Sequence, residues 1–116
     1  MELRVALATS DGTSVDLHFG RADRFAIYRL ADGGWEHLED RLNQPACAGG
    51  EHADGLLEQA AGLIADCRGV AVARIGVTAM DVLLARRIIP FVLELPVTEA
   101  LATLCKSKLL TRYINH

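Results

Sequence analysis

The chain has 116 residues, with 12 Lys and Arg against 15 Asp and Glu for a formal charge of -3. That length suits one domain with a core of its own, and with 51% apolar but only 5% aromatic residues the core falls mainly to Ala, Val, Leu and Ile. The acidic excess argues against a general nucleic-acid binder, and no apolar run approaches the ~20 residues that span a bilayer.

In chain order, Leu3, Val5 and Leu7 alternate with Arg4, Ala6 and Ala8, which predicts a first strand over 3–9 covered on both faces. Residues 10–20 are turn-rich. A second strand follows over Arg24–Leu30, with Phe25 and Ile27 on one face and Ala26, Tyr28 and Leu30 on the other. Asp32-Gly33-Gly34 reads as a hairpin turn, and the more polar 35–42 as a third strand at a sheet edge. Pro45 and the Gly49-Gly50 pair interrupt regular structure. Leu56, Leu57, Ala60, Ala61, Leu63 and Ile64 then recur at helical spacing. Residues 69–74 form a short apolar strand, and 77–87 a second helix with Met80, Leu83 and Leu84 inward. A last strand occupies 88–93. Pro96 suits the first turn of a third helix carrying Val97, Leu101 and Leu104 on one stripe. Leu109, Leu110, Tyr113 and Ile114 in the tail extend that helix, pack on the core or dock on another chain, so pairing with a second copy stays open.

The order β-β-β-α-β-α-β-α predicts an antiparallel meander of three strands, then two strands entered through helical crossovers and parallel to their neighbours. The result is a mixed sheet with helices on both faces. With strands one and four adjacent, the connections after strands one, three and four gather at one end, and the divergence there makes a switch point where α/β sheets open a ligand crevice.

That end collects the chemistry. His18, within Val15-Asp16-Leu17-His18-Phe19-Gly20-Arg21, offers an imidazole, Cys47 a thiolate and His52 a second imidazole. Arg21, Arg24 and Arg74 offer cations, and the amides after Gly76 an anion-favouring helix start. Thiolate and imidazole with arginines suit a polyanionic metal–sulfur cluster. Each member also has a plainer reading: Cys47 as a small loop residue, and Arg74 as the partner of Asp11 or Asp16. Cys67 and Cys105 read as core or near-core thiols, His37 and His116 as weak candidates, and Arg86-Arg87 as a solvated helix end. Three cysteines, odd in number and widely spaced, argue against a disulfide framework, and no C-x-x-C pair announces a zinc or iron–sulfur site. A start that lacks the regions of a signal peptide predicts a cytoplasmic protein.

Val5-Ala6-Leu7-Ala8-Thr9-Ser10-Asp11-Gly12, the His18 run through Ala22, Pro45-Ala46-Cys47-Ala48-Gly49-Gly50 and residues 66–76 occur in an order and spacing that resemble the dinitrogenase iron–molybdenum cofactor biosynthesis family. The family takes in NifX-like proteins, the core of NafY-like proteins and the C-terminal domain of NifB. The likeness spans residues 3–104, with 105–116 left as a helical tail of one domain over 1–116. It implies a ribonuclease H-like three-layer α/β/α fold with sheet order 3-2-1-4-5. It also implies a non-catalytic carrier that binds the iron–molybdenum cofactor, or an iron–sulfur precursor, and serves nitrogenase cofactor assembly proteins. His18 matches the family position tied to cluster binding, with Phe19, Gly20, Arg21, Arg24, Arg74 and Gly76 expected around the cluster. Cys47 matches a cysteine found in part of the family, and His52 is kept as a further ligand. Where many members end the second helix with Gly-Ile, this chain has Arg86-Arg87-Ile88-Ile89. The alternatives are a cluster-binding, regulatory or scaffold protein of the same family outside nitrogenase assembly, and a metal-dependent nuclease suggested by the implied fold. Asp11 and Asp16 are the only carboxylates close after strand one for the nuclease reading.

Overall fold

A computed structural model describes residues 3–31, 34–44, 54–107 and 110. Five strands, β1 (Leu3–Leu7), β2 (Arg24–Ala31), β3 (Gly34–Leu42), β4 (Gly69–Val72) and β5 (Ile89–Val92), form one sheet in the order β3-β2-β1-β4-β5. β1 pairs antiparallel with β2 and β2 with β3, whereas β4 runs parallel to both β1 and β5. The meander and the two parallel additions are thus as the sequence predicts. The β1–β4 boundary is the switch point.

Alternation along the strands divides the core between the two faces of the sheet. Ala6, Phe25, Ile27, Val70 and Val72 pack with Ala60 and Ala61 of α1 (Asp54–Leu63), with Ile64 just beyond it, and with Ala79 and Leu83 of α2 (Val77–Ala85). Leu3, Val5, Leu7 and Ala71 pack on the other face with Val97, Ala100, Leu101 and Leu104 of α3 (Val97–Lys106). On β1 the small Ala6, with Ala8 just beyond it, faces the paired helices α1 and α2 while the larger Leu3, Val5 and Leu7 meet the single helix opposite; on β4 the order reverses, with Val70 and Val72 on the first face and Ala71 on the second. Trp35 of β3 ties the sheet edge to α3 by donating its indole N–H to the Leu101 carbonyl at 2.9 Å. Among the described residues no helix is long and apolar enough to cross a membrane.

Several boundaries and faces differ from expectation. α2 ends at Ala85, not Arg87, because the chain turns left-handed there: Arg87 has φ 62°. Ile88 donates to Leu83 O at 2.9 Å and Arg87 to Leu84 O at 3.0 Å, the paired bonds of a Schellman motif, with both Leu83 and Ile88 fully buried. Leu84, expected inward, is 51% exposed. Together with Val77 and Asp81 it lies on the outer stripe of a helix whose apolar content exceeds one face. Cys105, expected near the core, is also exposed, one step past the buried Leu104 on α3, while Cys67 is buried. Pro96 is the N-cap of α3 and not part of its first turn. β1, β4 and β5 are each trimmed by one or two residues at an end, yet Ala8, Thr9, Ala73 and Ile88 beside them remain buried. The Asp32-Gly33 part of the hairpin turn, the punctuated segment 45–53 with Cys47 and His52, and the tail positions Leu109, Tyr113, Ile114 and His116 lie outside the described residues.

Two ties complete the frame. Arg41 of β3 grips Asp66, just past α1, with its two terminal guanidinium nitrogens at 2.7 and 3.0 Å, and Arg4 of β1 reaches the same carboxylate at 2.9 Å. These cations hold Asp66 well below the usual carboxylate range. Burial first, and the neighbouring Asp66 charge second, push the Cys67 thiol up to about 12, which suits an inert core thiol.

Candidate functional site: a cationic cleft at the switch point

The polar stretch after β1 is an ordered loop. Asp11 accepts backbone N–H bonds from Thr13 at 2.8 Å and Ser14 at 3.3 Å, and these donors lower its pKa below the ordinary value. Gly12 takes φ +79°, the left-handed region open to glycine, and donates to Thr9 Oγ1 at 3.0 Å. Val15 is buried and donates to Leu95 O at 2.9 Å, while Val97 donates to Thr13 O at 2.8 Å, so the loop is stitched to the start of α3.

The chain then returns to the sheet and lies at the carboxyl ends of β1 and β4. Leu17 donates to Ala8 O at 3.2 Å, Ala73 donates to Leu17 O at 2.9 Å, and Phe19 donates to Arg74 O at 2.9 Å. A parallel bridge results between His18 and Arg74, residues 56 positions apart in sequence. Phe19 anchors the segment: it is 1% exposed and packs on Phe25 with ring centroids 5.7 Å apart. His18, exposed, caps the short 3₁₀ turn Phe19–Arg21.

A cleft of about 400 Å³ opens beside this junction, lined by His18, Gly20, Arg21 and Arg74, by Leu57 of α1, and by Ile75 to Ala79 at the start of α2. That volume falls within the range of small-molecule sites. Among the described residues no carboxylate lines it. Arg21 and Arg74 are exposed and form no ion pair with described residues, so the expected pairing of Arg74 with Asp11 or Asp16 is absent. Both carboxylates instead close hydrogen bonds within their own loop.

Helix α2 adds donors without charge. Its first helical bond runs from Met80 N to Gly76 O at 3.0 Å, so the N–H groups of Val77, Thr78 and Ala79 precede the first intrahelical bond, and no side chain caps them. A Cβ on Gly76 would meet nothing within 4 Å, which leaves backbone exposed to the cleft. Two guanidinium groups and a helix start favour an anion here, while Leu57, Ile75, Val77 and Ala79 supply apolar wall.

The structure therefore brings together His18, Gly20, Arg21, Arg74 and Gly76 of the expected set. It does not bring Arg24 to the cleft, since that residue opens β2 and is half-buried, and it uses the side chain of Phe19 as core. Sequence reasoning missed Leu57, Ile75, Val77, Thr78 and Ala79. Thr78 and Ala79 follow from the helix start already inferred at Gly76, but nothing separates Leu57 from its neighbours on the apolar stripe of α1. Among the described residues no three His, Cys, Asp or Glu side chains converge as a metal cage. One imidazole among cations and amide donors suits an anionic group that brings most of its own ligands.

The sequence model of the dinitrogenase iron-molybdenum cofactor family matches residues 1–107. The FeMo cofactor biosynthesis protein NifB of Herbaspirillum seropedicae is 36% identical over 76 residues, which cover 66% of this chain and 14% of that protein. Its counterpart from Klebsiella pneumoniae is 38% identical over 83 residues, covering 64% and 17%. Protein NifX of Sinorhizobium fredii is 43% identical over 37 residues, covering 32% of this chain and 23% of NifX. The aligned region thus spans only 14% and 17% of the length of the two NifB relatives. With the family model covering nearly the whole sequence, the chain belongs to the dinitrogenase iron-molybdenum cofactor family.

Proposed function

We propose that this chain is a non-catalytic carrier in iron–molybdenum cofactor biosynthesis, a single domain of ribonuclease H-like architecture that holds the cofactor or an iron–sulfur precursor as cargo. Its partners would be the assembly proteins that donate and receive that cargo. Family membership and the NifB and NifX relatives support the biosynthetic role. One observation carries the binding reading: an exposed imidazole, two arginines and the first amides of α2 around a cleft that no carboxylate lines among the described residues.

In this reading His18 ligates a metal of the cluster, and Arg21, Arg74 and the α2 amides neutralise its charge. Cys47 and His52 remain proposed further ligands. A carrier must also release its cargo, and a few exposed ligands permit that where a closed four-ligand site would not. Anaerobic titration with isolated iron–molybdenum cofactor tests it. The wild type should bind, and His18→Ala should weaken binding by about tenfold or more, the loss expected for one metal–ligand contact or its fixing partner. Unchanged affinity in His18→Ala would remove the imidazole from the site.

A further inference from the structure

Between Val15 and Leu17 the loop crosses the top of the sheet. Val15 is buried with the α3 layer, while Leu17 packs against the α1 and α2 layer, so Asp16 sits at the crossing. Its carboxylate Oδ1 accepts the Ser10 backbone N–H at 2.8 Å, and its Oδ2 accepts the Ser10 hydroxyl. Ser10 is the third residue beyond the end of β1, and Asp16 is the second before His18. One side chain thus closes the base of the loop at the point where the chain turns toward the β1–β4 junction. Asp16 does not line the cleft, and both of its oxygens are engaged within the loop.

We propose that Asp16 is a positioning residue for His18: its clamp on Ser10 sets the crossing so that Leu17–Phe19 docks in register and the imidazole is held at the cleft. The proposal rests on the carrier reading only for what His18 binds. The register itself is a property of the ligand-free chain. Without the clamp, Ser10 N–H and the crossing lose their fixed partner, and the bonds from Leu17 and Phe19 to Ala8 and Arg74 open more often. Asn at position 16 keeps an acceptor for the Ser10 N–H and presents an amide to the Ser10 hydroxyl, so the clamp survives without its charge.

Amide hydrogen exchange on ligand-free protein, read by NMR, tests the clamp directly. In Ser10→Ala, which loses one charge-assisted bond, the Phe19 amide should exchange about tenfold faster, and in Asp16→Ala, which loses both, at least that much faster, while Val5, Leu7 and Val70 keep wild-type rates. Asp16→Asn should stay within about twofold of wild type by the same reasoning. Anaerobic titration with isolated iron–molybdenum cofactor should rank the variants in the same order, with Asp16→Asn rescuing what Asp16→Ala loses. Unchanged Phe19 exchange in Asp16→Ala, or a titration in which Asp16→Asn binds as poorly as Asp16→Ala, would overturn the positioning role. The second outcome would make the charge itself the functional group. If wild type takes up no cofactor, the carrier reading fails and the exchange rates alone still decide the clamp.

Discussion

Arg87→Gly should make this protein more stable. Arg87 holds φ 62° at the end of α2, where the N–H groups of Arg87 and Ile88 close the Schellman bonds to Leu84 and Leu83. An L-residue in that left-handed conformation carries about 1–2 kcal/mol of crowding between its Cβ and the following carbonyl, which glycine lacks. Glycine returns about 0.4–1 kcal/mol of the gain through the greater freedom of its unfolded chain. The guanidinium offsets nothing, because Arg87 is exposed and forms no ion pair with described residues. The net gain therefore spans about 0–1.6 kcal/mol and centres on about 0.8 kcal/mol, or roughly 2–5 °C in melting temperature for a domain of this size. Urea denaturation of wild type, Arg87→Gly and Arg87→Ala reads it. Alanine keeps the Cβ and so keeps the strain, and should fall near wild type. An equal gain in both variants would assign the effect to relief of repulsion with Arg86, and no gain in Arg87→Gly would refute the strain argument.

Gly69 predicts the opposite sign: a Cβ there would come within 3.1 Å of Leu110 Cδ2 and 3.3 Å of Phe91 Cε1. Gly69→Ala should therefore cost about 1–3 kcal/mol of overpacking in urea denaturation, and paired Leu110→Ala should recover part of that loss, whereas a neutral Gly69→Ala would mean Leu110 does not seat on β4. Asp66 predicts acid sensitivity: its folded-state pKa is lowered by Arg41 first, so its contribution is complete above about pH 4 and fades as the pH falls through the lower folded value. With the carboxylate 38% exposed, Asp66→Asn should cost about 1 kcal/mol at pH 7 after allowance for solvent screening and a smaller share of that near pH 2, and a cost independent of pH would refute the ion-pair assignment.

Much of the frame was legible because pattern and packing obey the same periods. The alternation of Leu3, Val5 and Leu7 with Ala6 and Ala8 marks a strand buried on both faces, and that alone puts β1 at the centre of the sheet. The expectation for α2 failed at Leu84 for a related reason. Its sequence is apolar nearly all round, so hydrophobicity does not say which stripe meets α1 and β5, and packing alone selects Ala79 and Leu83. At the site, residue chemistry pointed to His18, Arg21 and Arg74. Arg24 has the same chemistry and stands apart, because side-chain type carries no information about which side of a strand start it leaves from. The apolar walls were illegible for a different reason: Leu57 and Ile75 differ from core residues only in facing a gap that three elements leave between them.

The same junction explains why His18 can be probed cleanly. The β1–β4 ladder ends at Leu7↔Ala71, and the returning segment extends it through bonds from Leu17 to Ala8, Ala73 to Leu17 and Phe19 to Arg74. All three are backbone bonds, each worth about 1 kcal/mol net, and the buried Phe19 ring adds apolar anchorage next to them. The His18 side chain contributes to none of these contacts, nor does it cap the 3₁₀ turn with a side-chain bond. Its removal therefore takes an imidazole from the cleft without moving the backbone that presented it. Phe19→Ala acts in reverse, since truncating a buried aromatic costs about 3–5 kcal/mol and frees the segment while leaving the imidazole in the sequence. Binding lost with the fold intact belongs to His18, and binding lost with Phe19 belongs to the frame that holds it.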